Sequence, residues 1–161
     1  MLNVPIGVES LHSNIYGLEQ LNLPEGIKNI YVSSGCLETL NIPTGTEKLS
    51  LITCEKLKEI NLPDGIKDVS VSDCSEISVL DIPASTEKVS IDKCNELTEA
   101  NLSEGIKNIN VRWCGKLEEL DISPGAESVK VTCCYALADM DLPEGVENVE
   151  IVDCPLLETE K

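Results

Sequence analysis

A 161-residue chain with a net charge of −17 and a pI near 4.2 has no basic stripe to displace phosphate counterions, which argues against nucleic acid as a partner. The same acidity argues against an anionic membrane surface, and no apolar run reaches the ~20 residues of a spanning helix. Apolar residues make up 42% of the chain but aromatics only 2%, with no Phe, so thin layers of Leu, Ile, Val and Cys are expected in place of one bulky core.

The N-terminal Met1-Leu2-Asn3-Val4-Pro5 has no basic segment followed by an apolar one, so no signal peptide is expected in this sequence. A first, degenerate repeat holds the single His12. The apolar residue that precedes each turn then falls at Val4, Leu23, Ile42, Leu62, Ile82, Leu102, Ile122 and Leu142, in steps of 19, 19 and thereafter 20. A fixed period of this size indicates a solenoid, in which each unit buries its apolar edge against its neighbours. One domain over 1–161 follows.

Each unit carries two apolar triplets, as in Leu57-x-x-Ile60-x-Leu62 and Ile66-x-x-Val69-x-Val71-x-x-Cys74. The alternation in Val69-Ser70-Val71 is strand spacing. Between the triplets, Pro-x-Gly suits a tight turn, because Pro fixes φ and Gly accepts positive φ. The three-residue steps Cys54, Leu57, Ile60 suggest a short 3₁₀-like or extended segment. The predicted fold is therefore mainly β: a curved parallel β-solenoid of about eight short repeats with little or no α-helix. A sheet lines one face, with short strands or polyproline-like segments on the other, and both triplets are apolar enough to form the concave sheet. A forty-residue pattern is superimposed, with Gly-Ile-Lys at Gly26, Gly65 and Gly105 and Thr-Glu-Lys at Thr46 and Thr86.

The string Leu-x-x-Leu-x-Leu-x-x-Asn/Cys appears here as Thr46-x-x-Leu49-x-Leu51-x-x-Cys54, Ile66 to Cys74, and Ile106-x-x-Ile109-x-Val111-x-x-Cys114. It resembles the leucine-rich-repeat signature. The short period and Leu-Pro-x-Gly-Ile spacing resemble bacterial type III effector repeats, including the recognition domains of effector ubiquitin ligases. Cys54 through Pro63 resembles the BspA-like repeats of bacterial and protist surface proteins. The chain departs from the effector form by placing Cys where Asn is usual and by adding a residue before the next Leu. It departs from the BspA-like form by being shorter and lacking Phe. The second copy (Ile27, Ile30, Val32, Gly35, Leu37) keeps the shorter spacing, with Gly35 in the Asn slot. These likenesses imply a protein-recognition scaffold, with any ligase domain on a separate segment.

Cys54, Cys74, Cys94, Cys114, Cys134 and Cys154 recur every twenty residues and should stack at the ~4.8 Å strand spacing. One Cys per layer, all pointing the same way, does not build a zinc tetrahedron, and parallel side chains suit a disulfide poorly. They are expected to be buried, structural thiols that donate weakly to backbone carbonyls. Eight cysteines kept as thiols suggest a reducing compartment, cytoplasmic or a host cytosol; the BspA-like resemblance leaves surface display open. Cys36 and Cys133 break the column, and Cys133 is expected outside, as the more reactive thiol or an incidental surface Cys. Asn3, Asn22, Asn41, Asn61, Asp81, Asn101, Asp121 and Asp141 form a second column. Calcium is disfavoured because half or more are neutral Asn and no glycine-rich loop accompanies them. Asn61 and Asn101 are instead expected to bond to the backbone of their own turn or the next layer.

Outward positions in the strand triplet are mostly serine, except Tyr31 near the start and a group of Arg112, Trp113, Lys130 and Cys133. Trp and Arg are the types most enriched in binding hot spots, so these five are the candidate binding residues, with Trp113 packed beside Tyr135 as the plainer reading. No catalytic residue, metal site or cofactor is expected: His12 has no partner nucleophile at a recognisable spacing, and the glycines sit in turns. The leading expectation is a non-catalytic interaction module for a protein, permissibly a basic one. The alternatives are a designed or purely structural solenoid without a ligand, and the recognition fragment of an effector ubiquitin ligase. The ends carry no obvious polar caps, which makes end-to-end self-association, or continuation into further chain, an expectation too.

Overall fold

A computed structural model describes residues 1–157, and no helix occurs among them. Its strands are, in order, β1 (Leu2–Asn3), β2 (Ser10–Asn14), β3 (Leu21–Asn22), β4 (Asn29–Ser33), β5 (Lys48–Ile52), β6 (Asp68–Ser72), β7 (Val79–Ile82), β8 (Lys88–Asp92), β9 (Glu99–Leu102), β10 (Asn108–Arg112), β11 (Ser128–Thr132) and β12 (Asn148–Val152). The main sheet has eight parallel strands in the order β2-β4-β5-β6-β8-β10-β11-β12, one per turn of a β-solenoid. The Val69-Ser70-Val71 triplet therefore makes this sheet. The other triplet pairs only locally, as β1 with β3 and β7 with β9.

Register is uniform: Val69 lies beside Val89 and Val71 beside Ile91. Alternation then puts Val69, Val71, Val89 and Ile91 inside, with Cys74, Ile77, Leu80 and Ile82 closing the same layer from the other side. Identical layers share one core because each inward residue meets its counterpart about twenty positions away. Cys54 and Leu57 are linked by a turn, with the Leu57 N–H donating to the Cys54 carbonyl at 3.1 Å, and the segment runs extended beyond it.

Seven of the turns hold glycine at φ between +85° and +102°, as type II turns require, five of them as Pro-x-Gly and those at Gly105 and Gly125 with Ser in the proline's place. The turn at Pro83 has Ser85 in that slot; Ser85 does not adopt positive φ, and its Oγ accepts from the Gly65 N–H at 2.9 Å. A second left-handed column is unexpected. Thr53, Asp73, Lys93, Trp113, Cys133 and Asp153, each just before the column cysteine, have φ of +53° to +57°. Each is the added residue that lengthens the repeat from 19 to 20. The first two layers lack it, and there Ile15 and Ser34 take the cysteine's place. Ser34, not Gly35, is thus the counterpart of the column Cys: its Oγ donates to the Leu18 and Tyr16 carbonyls at 2.8 and 3.0 Å. Gly35 serves another need, since a Cβ there would meet the Tyr16 ring at 2.7 Å.

A β-branched residue is strained at positive φ, whereas Asn tolerates it. Thr53→Asn is therefore expected to raise stability by about 0.5–1 kcal/mol, read as a higher urea midpoint at unchanged slope.

The forty-residue pattern has a physical basis in the stack. Glu9, Lys28, Glu47, Lys67, Glu87, Lys107, Glu127 and Glu147 form one column, and from Lys28 onward each N–H is bonded to the carbonyl of the layer before. Opposite charges alternate as far as Glu127, with Lys67–Glu87 at 3.8 Å and Lys107–Glu127 at 3.4 Å, and Glu147 ends the column against a like charge. The preceding column alternates Ile27, Thr46, Ile66, Thr86, Ile106, and both threonines are fully buried. Thr46 Oγ1 donates to the Pro43 carbonyl at 2.8 Å, while Thr86 Oγ1 has no partner.

Candidate functional site

The outer face of the main sheet is small and polar through its middle. Ser50, Ser70 and Ser90 stack there in consecutive layers, with aromatic groups at either end. Near the start, Tyr31 stacks on His12 with ring centroids 5.8 Å apart, and Lys48 Nζ lies 5.9 Å from the Tyr31 centroid. Four layers on, a distance of about 19 Å at ~4.8 Å per strand, stand Arg112 and Trp113. Tyr31 therefore does not join the other candidate residues; it belongs to a separate cluster.

Trp113 occupies one of the left-handed positions, directly after the end of β10. It is 46% exposed and meets Tyr135, itself 49% exposed, edge to face at 6.1 Å. Tyr135 completes the patch from the next layer. The signal for it was present in the sequence as an aromatic one residue past a column cysteine, a position otherwise held by Glu55, Ser75, Asn95, Gly115 and Pro155.

Cys133 is not on the surface. It is only 9% exposed, although its φ of +57° is the left-handed one that the exposed Trp113 adopts too. Its Sγ lies 3.8 Å from Asp153 Oδ2. The Tyr135 phenol is pushed up, first by desolvation and then by Cys133. Lys130 turns away toward the C-terminal end, where Nζ pairs with Glu150 at 2.8 Å.

Arg112 Nη2 pairs with Asp92 Oδ2 at 3.1 Å, and Asn110 Nδ2 donates to Ser90 Oγ at 3.4 Å. Three buried atoms in this group have no partner in the chain: Arg112 Nε, Asp92 Oδ1 and Asn110 Oδ1. One free donor and two free acceptors thus lie in the layer of the exposed indole and the layer beside it. Groups of this kind normally find water or a ligand.

The outward main-sheet positions carry four cations (Lys48, Lys88, Arg112, Lys130) and three acids (Asp68, Asp92, Glu150). The face is close to neutral in a strongly acidic chain. Acidity gathers elsewhere, as around Glu99, Glu118, Glu119 and Asp121, which line a cleft on the opposite side.

All eight cysteines are free. Column thiols donate to carbonyls, as Cys74 Sγ does to Ser72 O and Cys114 Sγ to Arg112 O, both at 3.4 Å. The Cys74 and Cys114 thiols are pushed up, first by the neighbouring Cys54 and Cys134 thiols of the column and then by burial. Cys94 and Cys154 continue the column with Sγ contacts to Asp92 O and Val152 O. The Asx column behaves differently from expectation. Asn101 Nδ2 donates to Asp81 Oδ1 at 2.7 Å and to Glu99 Oε1, and Asn22 to Asn3 at 2.6 Å, so these side chains bond to each other across layers and not to backbone. Asn61 is exposed to solvent. Among the described residues no group of three His, Cys, Asp or Glu side chains is arranged to hold a metal.

No protein-family model, curated protein or solved structure matches this chain. Its geometry is that of a repeat protein, a parallel β-solenoid of about eight turns.

Proposed function

We propose that the chain is a non-catalytic protein-interaction module of leucine-rich-repeat type that binds a protein through the outer face of its main sheet around Trp113. The observation that carries this reading is the exposed Trp113–Tyr135 pair beside Arg112, with three unpartnered polar atoms next to it. Large aromatics and arginine dominate interface energies, and unpaired polar groups give a partner something to satisfy. The near-neutral face does not by itself select a basic partner. A reducing compartment, such as a bacterial cytoplasm or a host cytosol, fits a column of buried thiols. The leucine-rich-repeat assignment rests on the Leu-x-x-Leu-x-Leu-x-x-Cys string, whose middle pair forms the main-sheet strand in each layer. A purely structural solenoid is the second reading, favoured by the serine tract and the charge pairing between layers.

Trp113→Ala is expected to weaken partner binding by at least about 2 kcal/mol, roughly thirtyfold, without lowering stability, since the indole is half exposed. Affinity capture with wild type, Trp113→Ala and a Ser70→Asn control, compared by quantitative mass spectrometry, checks it. A protein held by wild type and the control but lost by Trp113→Ala is the expected outcome. A capture profile indifferent to Trp113 would favour the structural reading.

A further inference from the structure

Inside the stack, every layer is covered by the next. Val129 and Val131 on β11 are 1% and 0% exposed, yet their counterparts on β12, Val149 and Ile151, are 48% and 37% exposed. Val152 and Leu156 add to the same apolar end. β12 pairs only with β11 and β2 only with β4, so each has one free edge of N–H and C=O groups among the described residues. All strands run parallel, so the free edge of β12 and that of β2 match in direction and in hydrogen-bond pattern.

We infer that the chain associates head to tail with a second copy of itself, β12 of one molecule pairing with β2 of the next in the register used within the stack. That register sets Val149 on Leu11, Glu150 beside His12, Ile151 over Ser13 and Val152 beside Asn14. It places Cys154 and Leu157 over Ile15, which is 47% exposed, and Leu18. Asp141 would meet Asn3 as Asp81 meets Asn101 inside the chain at 2.7 Å. Ser13 Oγ, buried without a partner, lies at this junction. Opposing these contacts are Glu147 over Glu9 and the repulsion of two chains at −17 each. Salt therefore strengthens the contact by screening. The junction is heterologous, because different surfaces meet, so it propagates into open chains instead of closing as a symmetric dimer.

Analytical ultracentrifugation of the whole chain under reductant tests this. Wild type should shift from monomer to dimer and longer species with concentration, and further with added NaCl. Ile151→Lys and Leu11→Lys should each weaken self-association by on the order of tenfold or more. Mixing the two should restore a one-to-one dimer and nothing longer, since each variant keeps one good end. His12→Glu, which sets two carboxylates together at the junction, replaces Leu11→Lys if circular dichroism shows that variant unfolded. A wild type monomeric at every concentration and salt would overturn the proposal. So would a mixture that associates no better than either variant alone, which would indicate a symmetric pairing of like ends.

Discussion

Leu97→Ala is expected to destabilise the chain by about 2–5 kcal/mol, whereas Ile151→Ala should cost less than about 1 kcal/mol at concentrations where the chain is monomeric. Leu97 is fully buried, and layers on both sides close over its position. Truncating it removes the transfer energy of the side chain and leaves a cavity that the narrow layer cannot refill, because its neighbours are held in register by the ladder on each side. Ile151 has a neighbouring layer on one side only, so the truncated space opens to water. Urea unfolding followed by circular dichroism measures both variants. In a solenoid, stability is close to a sum of layers and their junctions, so the Leu97 variant should also broaden the transition or split it around the weakened layer. Equal costs for the two variants would mean that the C-terminal layer is covered in solution.

Stability is expected to fall steeply as pH rises from about 9 toward 11, and Cys94→Ala should remove part of that fall. Burial pushes the Cys94 thiol from its ordinary 9.0 up to about 11, with the Asp92 and Asp73 carboxylates adding to the effect against a backbone hydrogen bond at Cys74 that opposes it. A thiol whose pKa is raised on folding keeps its proton in the native state after the unfolded chain has lost it. Its contribution is therefore fully present below pH 9 and is lost as pH climbs through the window to 11. At 1.36 kcal/mol per unit, the loss from this one residue is about 3 kcal/mol. Cys74 and Cys114 are pushed up as well, so each stacked pair retains a proton where the unfolded chain holds none. Urea midpoints of wild type and Cys94→Ala, taken at intervals from pH 7 to 10.5 under reductant, check the prediction. The two curves should converge at high pH. Parallel curves would show that Cys94 carries no such burden.

Ion pairing between layers contributes less than its frequency suggests. Most pairs, such as Lys116–Glu96 at 2.6 Å, join side chains that are about half exposed, and exposed pairs are worth under about 1 kcal/mol each. Their effect on register is greater. A slip by one layer would set Lys67 against Lys107 and Glu87 against Glu127, and like charges in contact disfavour the shifted pairing.

Much of this protein was legible from its residues alone, for reasons that are local. A twenty-residue period leaves no room for a long helix, Val69-Ser70-Val71 can only bury alternate residues, and Pro-x-Gly needs a glycine-type φ, as the turns at Gly65 and Gly145 show. The cysteine column followed from the period, because equal spacing in identical layers must produce vertical neighbours. What the sequence did not reveal depends on which columns meet. Nothing in the order Arg112-Trp113 shows that residue 113 takes a left-handed conformation, because the added residue between strand and turn imposes that φ on Thr, Asp, Lys, Trp and Cys alike. Trp113 and Cys133 share that conformation, yet the indole is half exposed and the thiol, expected outside, is buried, so the neighbours each side chain meets and not the backbone angle separate the two. Gly35 matched the signature by counting, but the hydrogen bonds chose Ser34. Periodicity fixed the layer, then, while the main-sheet face, the Trp113–Tyr135 patch and the open ends were decided by how the layers stack, since those contacts join residues about twenty positions apart whose side chains have no influence on one another until the ladder forms.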